Sequence, residues 1–144
     1  RLYADQRVYR PGLSLVAESA RDGVVGHVMV TTAWLESAAG TRRDIASLAP
    51  LAVMPDRQRG GVGTALLHAV VAVCDDRGEP FVVLQGDPRY YGRVGFEAST
   101  PIGVTMDLPD WASPEAAQLR RLRNYDPSIT GRVVYPSAFD NLPE

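Results

Sequence analysis

The fold is decided by the stretch Leu51-Ala-Val-Met-Pro-Asp-Arg-Gln-Arg-Gly-Gly-Val-Gly-Thr-Ala-Leu66. An aliphatic run ends at Met54, a turn rich in Arg and Gly follows, and a helical pattern begins at Val62. The first N–H groups of a helix have no partner within it, and the helix dipole adds partial positive charge at the same end. Glycines let the backbone approach a phosphate closely, and Arg57 and Arg59 add full charges. The stretch therefore predicts an anion-binding turn between a strand and a helix.

The helix is predicted over Val62 to Cys74, with Gly78 as the residue that ends it. Its apolar residues recur three and four positions apart, which places them on one helical face. The predicted face consists of Val62, Ala65, Leu66, Ala69, Val70, Val73 and Cys74. The continuous apolar run from Phe81 to Leu84 predicts a buried strand after the helix, parallel to the strand before it, because a helical crossover connects the two.

Further elements are predicted on both sides of this unit. Strands are expected at Ser14 to Ser19 and Val24 to Trp34, joined by the hairpin turn signal Asp22-Gly23. The strand Ile45 to Met54 contains Pro50, which cannot donate to a ladder and so predicts a bulge. Asp87 is the expected N-cap of a short helix with Pro88 at its first position. Strands are also expected at Ile102 to Leu108 and Arg132 to Tyr135, whereas local signals favour a helix over Ala116 to Arg123. The sum is one α/β (α+β) domain with a mixed sheet.

Composition excludes several classes of protein. The chain has 144 residues, 45% hydrophobic and 22% charged, which is one globular domain. Fifteen Lys and Arg against 17 Asp and Glu give a net charge of −2, which argues against a nucleic-acid binder. One cysteine, Cys74, excludes a disulfide scaffold and a Cys-rich metal site, and favours the cytoplasm. The longest apolar stretch is too short to cross a bilayer, so no membrane partner is expected.

The phosphate ligand is not a nucleoside triphosphate in a P-loop, because no Lys follows Gly63. Gly61 and Gly63 also supply two glycines of the dinucleotide fingerprint, but Leu66 occupies the third place, so this match is weak. A nucleotide-binding α/β domain therefore stays open as one alternative.

A closer match lies in the spacing Gln58-x-x-Gly61-x-Gly63, preceded by Leu51-Ala-Val-Met-Pro55 and followed by Tyr91-Gly-Arg-Val-Gly-Phe96. These segments resemble the pyrophosphate signature, the strand end and the downstream Tyr-x-x-x-Gly-Phe motif of the GNAT superfamily of N-acetyltransferases. The resemblance covers residues 14 to 108. Gly86-Asp-Pro-Arg-Tyr-Tyr91 is also similar to a poorly characterised bacterial subgroup of predicted acetyltransferases.

The resemblance implies acetyl-CoA as cosubstrate, no metal, and a mostly antiparallel sheet with one parallel, splayed strand pair flanked by helices. Backbone groups of Leu51, Ala52 and Val53 would follow the pantetheine arm, and a backbone N–H near Leu51 or Ala52 would polarise the acetyl carbonyl. Tyr91 would protonate the leaving thiolate, with Tyr90 as the alternative donor. The remaining predicted cofactor contacts are Gln58, Arg59, Gly60, Gly61, Val62, Gly63, Thr64 and Asp87.

The resemblance implies transfer of an acetyl group to a small-molecule, peptide or N-terminal amine by direct attack, and a homodimer is a further expectation. It also implies a strand at Ala116 to Arg123, and a first strand before Ser14 that this chain lacks. Many relatives carry a Glu on the strand ending at Val53, but Ile45 to Met54 holds no acid. The base is then one of Glu36, Asp44 and Glu97, a water chain, or His27. A non-catalytic acyl-CoA-binding or regulatory module is the main alternative.

Several other residues allow both a functional and a structural interpretation. His27 is a substrate-site base or a satisfied histidine of the sheet, and the second is favoured. His68 is expected at the surface and Cys74 in the core. A basic cluster forms a solvated face or contacts the 3′-phosphate of the nucleotide, and two tryptophans line an acceptor pocket or fill a core. The cluster is Arg120, Arg121 and Arg123, and the tryptophans are Trp34 and Trp111.

Overall fold

The computed structural model describes residues 14–19, 23–53 and 61–135, and the side chains of 14–19 and 49–53 are outside the description. The strands are β1 (Ser14–Ser19), β2 (Gly23–Glu36), β3 (Arg42–Val53), β4 (Phe81–Gln85), β5 (Glu97–Ala98), β6 (Val104–Met106), β7 (Ala117–Arg121) and β8 (Gly131–Val134). The helices are α1 (Val62–Asp76) and α2 (Pro88–Tyr91), with single 3₁₀ turns at Gly92–Val94, Thr100–Ile102 and Pro114–Ala116.

The strands form one mixed sheet in the order β5-β7-β4-β3-β2-β8-β6, with β1 beside β2. The predicted hairpin is present as the antiparallel pair β1–β2, although its turn residues 20–22 lie outside the description. The predicted parallel pair is β3–β4. A second parallel pair joins β6 and β8, which the sequence did not indicate. The mixed α/β architecture expected from the sequence is confirmed. The expected lack of a first strand concerns residues outside the described part.

A core lies on each face of the sheet. On one face, α1 packs against β2, β3 and β4 through residues such as Val30, Leu48 and Leu84. On the other face, side chains of β2, β3, β4, β6, β7 and β8 form a second core around Ile45, Phe81 and Leu119. In the described ranges, no helix is long and apolar enough to cross a membrane.

The buried face of α1 differs from the predicted one. The predicted face was wrong at Ala65 and Ala69, which are exposed, while Leu67 and Val71 are buried. Exposing two alanines instead of a leucine and a valine buries more apolar area, so the helix is rotated toward its larger side chains. Cys74 is buried and His68 is exposed, as predicted. Gly78 ends the helix at a φ of 83°, with N–H groups of Gly78 and Glu79 donating to carbonyls of the last turn.

Two features of β3 interrupt its pairing with the neighbouring strands β2 and β4. Val30 pairs with Leu48 and Val28 with Leu51, so β3 has one extra residue at the position of Pro50, and the predicted bulge is confirmed. The parallel pairing with β4 consists only of Ala46 with Val82 and Ser47 with Val83. Beyond Ser47 and Val83 the two strands do not pair with each other, which leaves a gap between their C-terminal ends.

The segment at residues 117–121 is a strand, as the family resemblance implied. The local sequence signals favoured a helix instead. β7 pairs antiparallel with β4 from Phe81–Arg121 to Gln85–Ala117. The buried residues Ala117, Gln118 and Leu119 are held by both β4 and β5, so tertiary pairing overrides the local preference.

Candidate active site

The N-terminus of α1 presents its first amides without a capping side chain. The N-cap Gly61 has a φ of 87°, and no side chain within the described part of the chain caps the helix. The first hydrogen bond at this end runs from the Ala65 N–H to the Gly61 carbonyl, 2.9 Å apart. Helix geometry leaves the N–H groups of Val62, Gly63 and Thr64 without a partner in the helix. Among the described residues, no atom lies within 4 Å of a Cβ built on Gly61.

The rest of the predicted phosphate turn comprises residues 57–60. Arg57, Gln58, Arg59 and Gly60 lie outside the described residues. Their contribution to anion binding stays a prediction.

One backbone edge of β3 faces the gap. Leu51, Ala52 and Val53 pair with Val28, His27 and Gly26 of β2 on one side. Their other edge has no ladder partner on β4. Extended backbone with a free edge can bind an extended ligand as if it were another strand, which is the arrangement predicted for these three residues.

Tyr91 lies at the far end of β4, on the same face of the sheet as α1. Asp87 caps α2 by accepting the Arg89 N–H at 2.9 Å, and this places Tyr91 one turn later. The Tyr91 ring packs edge-on against Phe96 with centroids 5.9 Å apart, and against Tyr90 at 4.9 Å. Burial raises the pKa of Tyr91 above its ordinary value of 10.0, with a smaller contribution from Tyr90. Tyr91 therefore stays protonated at neutral pH and can donate a proton or a hydrogen bond.

Gly86 makes room for that tyrosine. A Cβ at position 86 would lie 2.5 Å from Cε2 and 2.9 Å from Cδ2 of Tyr91. The sequence analysis did not assign Gly86 to the site. The signal was its place between a buried strand and the Asp87-Pro88 helix start, where close approach of a side chain explains the missing Cβ.

Asp87, predicted to contact the cofactor, has a structural role. Its carboxylate accepts the Arg89 N–H and pairs with the Arg89 guanidinium at 3.3 Å. The hydrogen bond from the Arg89 backbone lowers the pKa of Asp87, and the Arg89 side chain adds to this effect. Its contact with a cofactor stays a prediction.

Two of the three candidate acids are already paired with arginines. Glu36 lies 3.0 Å from Arg42 Nε and 3.6 Å from Arg132, and the hydrogen bond from Arg42 is the main cause of its lowered pKa. Glu97 lies 2.8 Å from Arg121. The lowered pKa makes Glu36 a poor proton acceptor. Asp44 is exposed and pairs with Trp34 across the β2–β3 ladder.

His27 is half-buried on β2, opposite Val16 of β1 and Ala52 of β3. It has an interaction partner within the protein. This supports a histidine satisfied within the sheet, which the sequence analysis favoured.

The basic cluster is engaged within the protein. Arg120 donates to the Val94 carbonyl at 3.1 Å. Arg121 pairs with Glu97, and Arg123 pairs with Asp75 and Asp76 at 3.2 and 3.3 Å. These contacts support a structural and solvated face rather than a site for the 3′-phosphate.

A cleft of about 650 Å³ opens at the end of β4. Trp111 lines this cleft, and its side chain is 87% exposed. Trp34 is half-buried beside Arg42, whose guanidinium lies 5.1 Å from its ring, so neither tryptophan fills a core. The walls combine the end of β4 and the start of α2 with the loop before β7, and comprise Gln85, Gly86, Asp87, Pro88, Leu108, Pro109, Trp111, Ala112, Ser113 and Ala116.

Across the described ranges, no three His, Cys, Asp or Glu side chains converge as metal ligands.

Comparison with known proteins gives the site a context. The family model described as an acetyltransferase (GNAT) domain matches residues 1–99. The structure is similar to a GNAT family N-acetyltransferase, YhbS of Escherichia coli, solved in complex with CoA: TM-score 0.76, 27% identity, over 90% of this chain and 70% of that one. It is also similar to a GNAT family acetyltransferase of Brucella melitensis solved with acetyl-CoA: TM-score 0.65, 30% identity, over 88% and 68%.

Naa20 of Chaetomium thermophilum, solved with a bisubstrate analogue, shares the fold at a TM-score of 0.56 and 17% identity, over 85% of this chain and 80% of that one. No curated protein matches the sequence. The family model covers more than half of the chain, and the strand–helix–strand unit with its open β3 edge lies within it. The chain belongs to the GNAT acetyltransferase family.

Proposed function

We propose that the protein is an acetyl-CoA-dependent N-acetyltransferase that acts on a small-molecule or N-terminal amine. The observation that carries the proposal is the gap between β3 and β4, which begins after Ser47 and Val83. The uncapped N-terminus of α1 lies at the end of the connection from β3, and Tyr91 lies beyond the end of β4. The E. coli and Brucella relatives, solved with CoA and acetyl-CoA, support the same ligand here.

The N-terminus of α1 fits a diphosphate. The amides of Val62, Gly63 and Thr64 are the groups proposed to hold it, because a helix N-terminus supplies both N–H donors and partial positive charge. Gly61, at a φ of 87°, gives the turn a conformation that other residues adopt only with strain. Gln58, Arg59 and Gly60 are proposed to extend this site.

The free edge of Leu51, Ala52 and Val53 is proposed to bind the pantetheine arm by backbone hydrogen bonds. The bulge at Pro50 interrupts the ladder with β2, and a backbone N–H near Leu51 or Ala52 is proposed to be available there. That N–H is proposed to donate to the acetyl carbonyl oxygen, whose negative charge grows as the amine attacks.

In the proposed reaction, the nitrogen lone pair attacks the thioester carbon, a C–N bond forms and the C–S bond breaks. The nitrogen releases one proton and the sulfur gains one, so an amine and a thioester give an amide and a thiol. Tyr91 is proposed to give its proton to the sulfur and to recover one from solvent. The single cysteine, Cys74, is buried in the core under α1, which favours direct attack over an acyl-cysteine intermediate.

The proposal is tested by thiol release from acetyl-CoA with a panel of amines, measured against hydrolysis without amine. We expect amine-dependent thiol release. Binding of acetyl-CoA without thiol release for any amine would instead favour the non-catalytic acyl-CoA-binding module.

A further inference from the structure

A pair of buried hydroxyl residues lies where β3 and β4 separate. Thr31 of β2 and Ser47 of β3 are direct cross-strand partners, 0% and 1% exposed. They lie on the face of the sheet opposite α1, because the next pair along the same face, Ala33 and Ile45, belongs to the second core. Ser47 is also the last residue of β3 that pairs with β4. The two hydroxyls therefore lie at the closed end of the gap.

Tyr135 and Gln85 connect this pair with the cleft. The Tyr135 hydroxyl forms hydrogen bonds with the side chains of Ser47 and Gln85. Gln85 Nε2 donates to the Asp107 carbonyl at 3.0 Å, and Gln85 lines the cleft that also contains Trp111. We refer to Thr31, Ser47, Gln85 and Tyr135 as the hydroxyl cluster. It extends from the wall of the cleft to the end of the gap.

One hydroxyl of the cluster lacks a partner. Thr31 Oγ1 is buried and makes no hydrogen bond with any described residue. A buried polar group without a partner is costly, so such groups in native proteins are usually satisfied by water or a ligand. Its position opposite Ser47 indicates that the cluster has capacity for a further polar group.

The cluster has no charge. Thr, Ser and Gln do not titrate near neutral pH, and burial raises the pKa of Tyr135. Asp110 and Glu115, on the loop that borders the cleft, are exposed and form no ion pair within the described residues. Other carboxylates on the surrounding elements are paired with guanidinium groups. These pairs are Glu36 with Arg42 and Arg132, Asp107 with Arg132, Glu97 with Arg121, and Asp87 with Arg89. Further titratable groups described on this face are Arg43 on β3, Tyr125 after β7 and His27, which lies four residues before Thr31 on the same face of β2.

Resting on the proposed function, we propose that the hydroxyl cluster receives the attacking amine of the acceptor in its uncharged form, so that the preferred acceptors are amines of low basicity. A buried ammonium ion would need a carboxylate partner, whereas a free amine needs only neutral donors and acceptors. The cluster supplies four such groups. Leu108, Pro109 and Trp111 in the cleft suit an apolar group on the same acceptor.

The cluster positions the nitrogen and takes no proton from it. Ser47 and its neighbour Thr31 are buried, so a proton passed inward to Ser47 has no exit to solvent. An ammonium acceptor must lose its extra proton to water before it binds. The free amine then attacks as described, and the proton released during attack leaves through the cleft to solvent.

The decisive experiment measures kcat/KM for three acceptors across the pH range, because this ratio reports the ionisation of free enzyme and free substrate. Aniline, an amino-acid ethyl ester and benzylamine span weak to strong basicity. We expect kcat/KM to rise tenfold per pH unit up to the pKa of each amine, so that the midpoint moves with the amine and aniline shows no rise. A common midpoint for the two more basic amines, together with a rise for aniline, would show a base on the enzyme and overturn the inference.

Variants separate positioning from a structural role. Tyr135→Phe and Ser47→Ala are expected to raise KM for the acceptor on the order of tenfold, the effect of one lost hydrogen bond, with acetyl-CoA affinity unchanged. Tyr125→Phe is the matched control, because it removes a phenol hydroxyl from the same face without touching the cluster. Equal effects of Tyr135→Phe and Tyr125→Phe on KM would overturn the inference.

Different experimental results would overturn the proposed function and the inference about the hydroxyl cluster. Thiol release that depends on amine, with a midpoint common to all acceptors, overturns the inference alone. No thiol release with any amine overturns the proposed function, and the inference with it.

Discussion

The ring of Tyr91 lies directly over Gly86, so close that a Cβ on the glycine would be 2.5 Å from the ring carbon Cε2. Gly86, the first residue after β4, thereby allows the observed position of the tyrosine proposed to protonate the thiolate. A side chain at position 86 and the observed position of Tyr91 are mutually exclusive.

Gly86→Ala is expected to displace the Tyr91 ring and to lower kcat on the order of 10²-fold, because small shifts of a reacting group have effects of this size. The fold should survive, since the clash is with a side chain rather than with backbone. Gly92→Ala is the matched control, because its φ is −58° and a Cβ there would meet nothing within 4 Å. Equal turnover in the two alanine variants would contradict this account of Gly86.

Tyr91→Phe is expected to lower kcat on the order of 10²-fold, the lower end of a general acid's contribution, while acetyl-CoA affinity changes little. Since burial raises the pKa of Tyr91 above its ordinary value of 10.0, this proton should remain available throughout the neutral and mildly alkaline range. Steady-state kinetics and calorimetry of the same variant check the two halves of the prediction. Tyr90→Phe is the control. If Tyr90→Phe lowered kcat more than Tyr91→Phe, Tyr90 would be the proton donor.

Gly61→Ala is expected to weaken acetyl-CoA binding, because Gly61 has a φ of 87° and orients the first amides of α1. Gly40→Ala is a close control, with a φ of 85° in the β2–β3 turn and equally open space around the missing Cβ. Both variants should lose about 1–2 kcal/mol of stability from left-handed strain. Only Gly61→Ala should lose affinity for acetyl-CoA in calorimetry, and a similar loss in Gly40→Ala would show a general effect of destabilisation.

Asp75→Asn is expected to reduce the change in the free energy of unfolding with pH in the acid range. The Arg123 backbone N–H donates to Asp75 Oδ1 at 3.1 Å and is the largest cause of its lowered pKa. A carboxyl whose pKa is lower in the folded state contributes stability above its ordinary value of 3.8, and this contribution disappears as the pH falls through the lowered pKa.

The urea midpoint of Asp75→Asn should therefore lie below that of the unchanged protein at neutral pH, and the difference should shrink as the pH falls below the ordinary pKa of 3.8. Asp76→Asn, which removes an exposed carboxylate with a single contact to Arg123, should change the midpoint less. A difference for Asp75→Asn that stays constant with pH would contradict the assignment.

The sequence predicted the elements whose signals are local. The spacing from Val62 to Cys74, the Asp87-Pro88 helix start and the effect of Pro50 each depend on neighbours a few residues away, and each is confirmed. The strand at Ala117–Arg121 is different, because its state is set by pairing with β4 and β5. Its local pattern favoured a helix, and only the family resemblance pointed to a strand.

The site could be predicted only in part for the same reason. The uncapped end of α1 and the position of Tyr91 follow from contiguous motifs. The hydroxyl cluster joins β2, β3, β4 and the residue after β8, from Thr31 to Tyr135. Lone polar residues within apolar strands, as at Thr31 and Ser47, were the available signal. Whether these residues lie close together depends on strand order, which cannot be predicted from local spacing in the sequence.

The central claim is that amides at the N-terminus of α1 hold the diphosphate of acetyl-CoA. Calorimetric titration of the protein with acetyl-CoA and with S-acetylpantetheine, which has the same thioester arm but no diphosphate, tests it most directly. We expect acetyl-CoA to bind and S-acetylpantetheine to bind at least about 100-fold more weakly, since both charge-assisted contacts and the helix dipole act on the diphosphate. Equal affinity for the two ligands, or no binding of acetyl-CoA at millimolar concentration, would contradict the account.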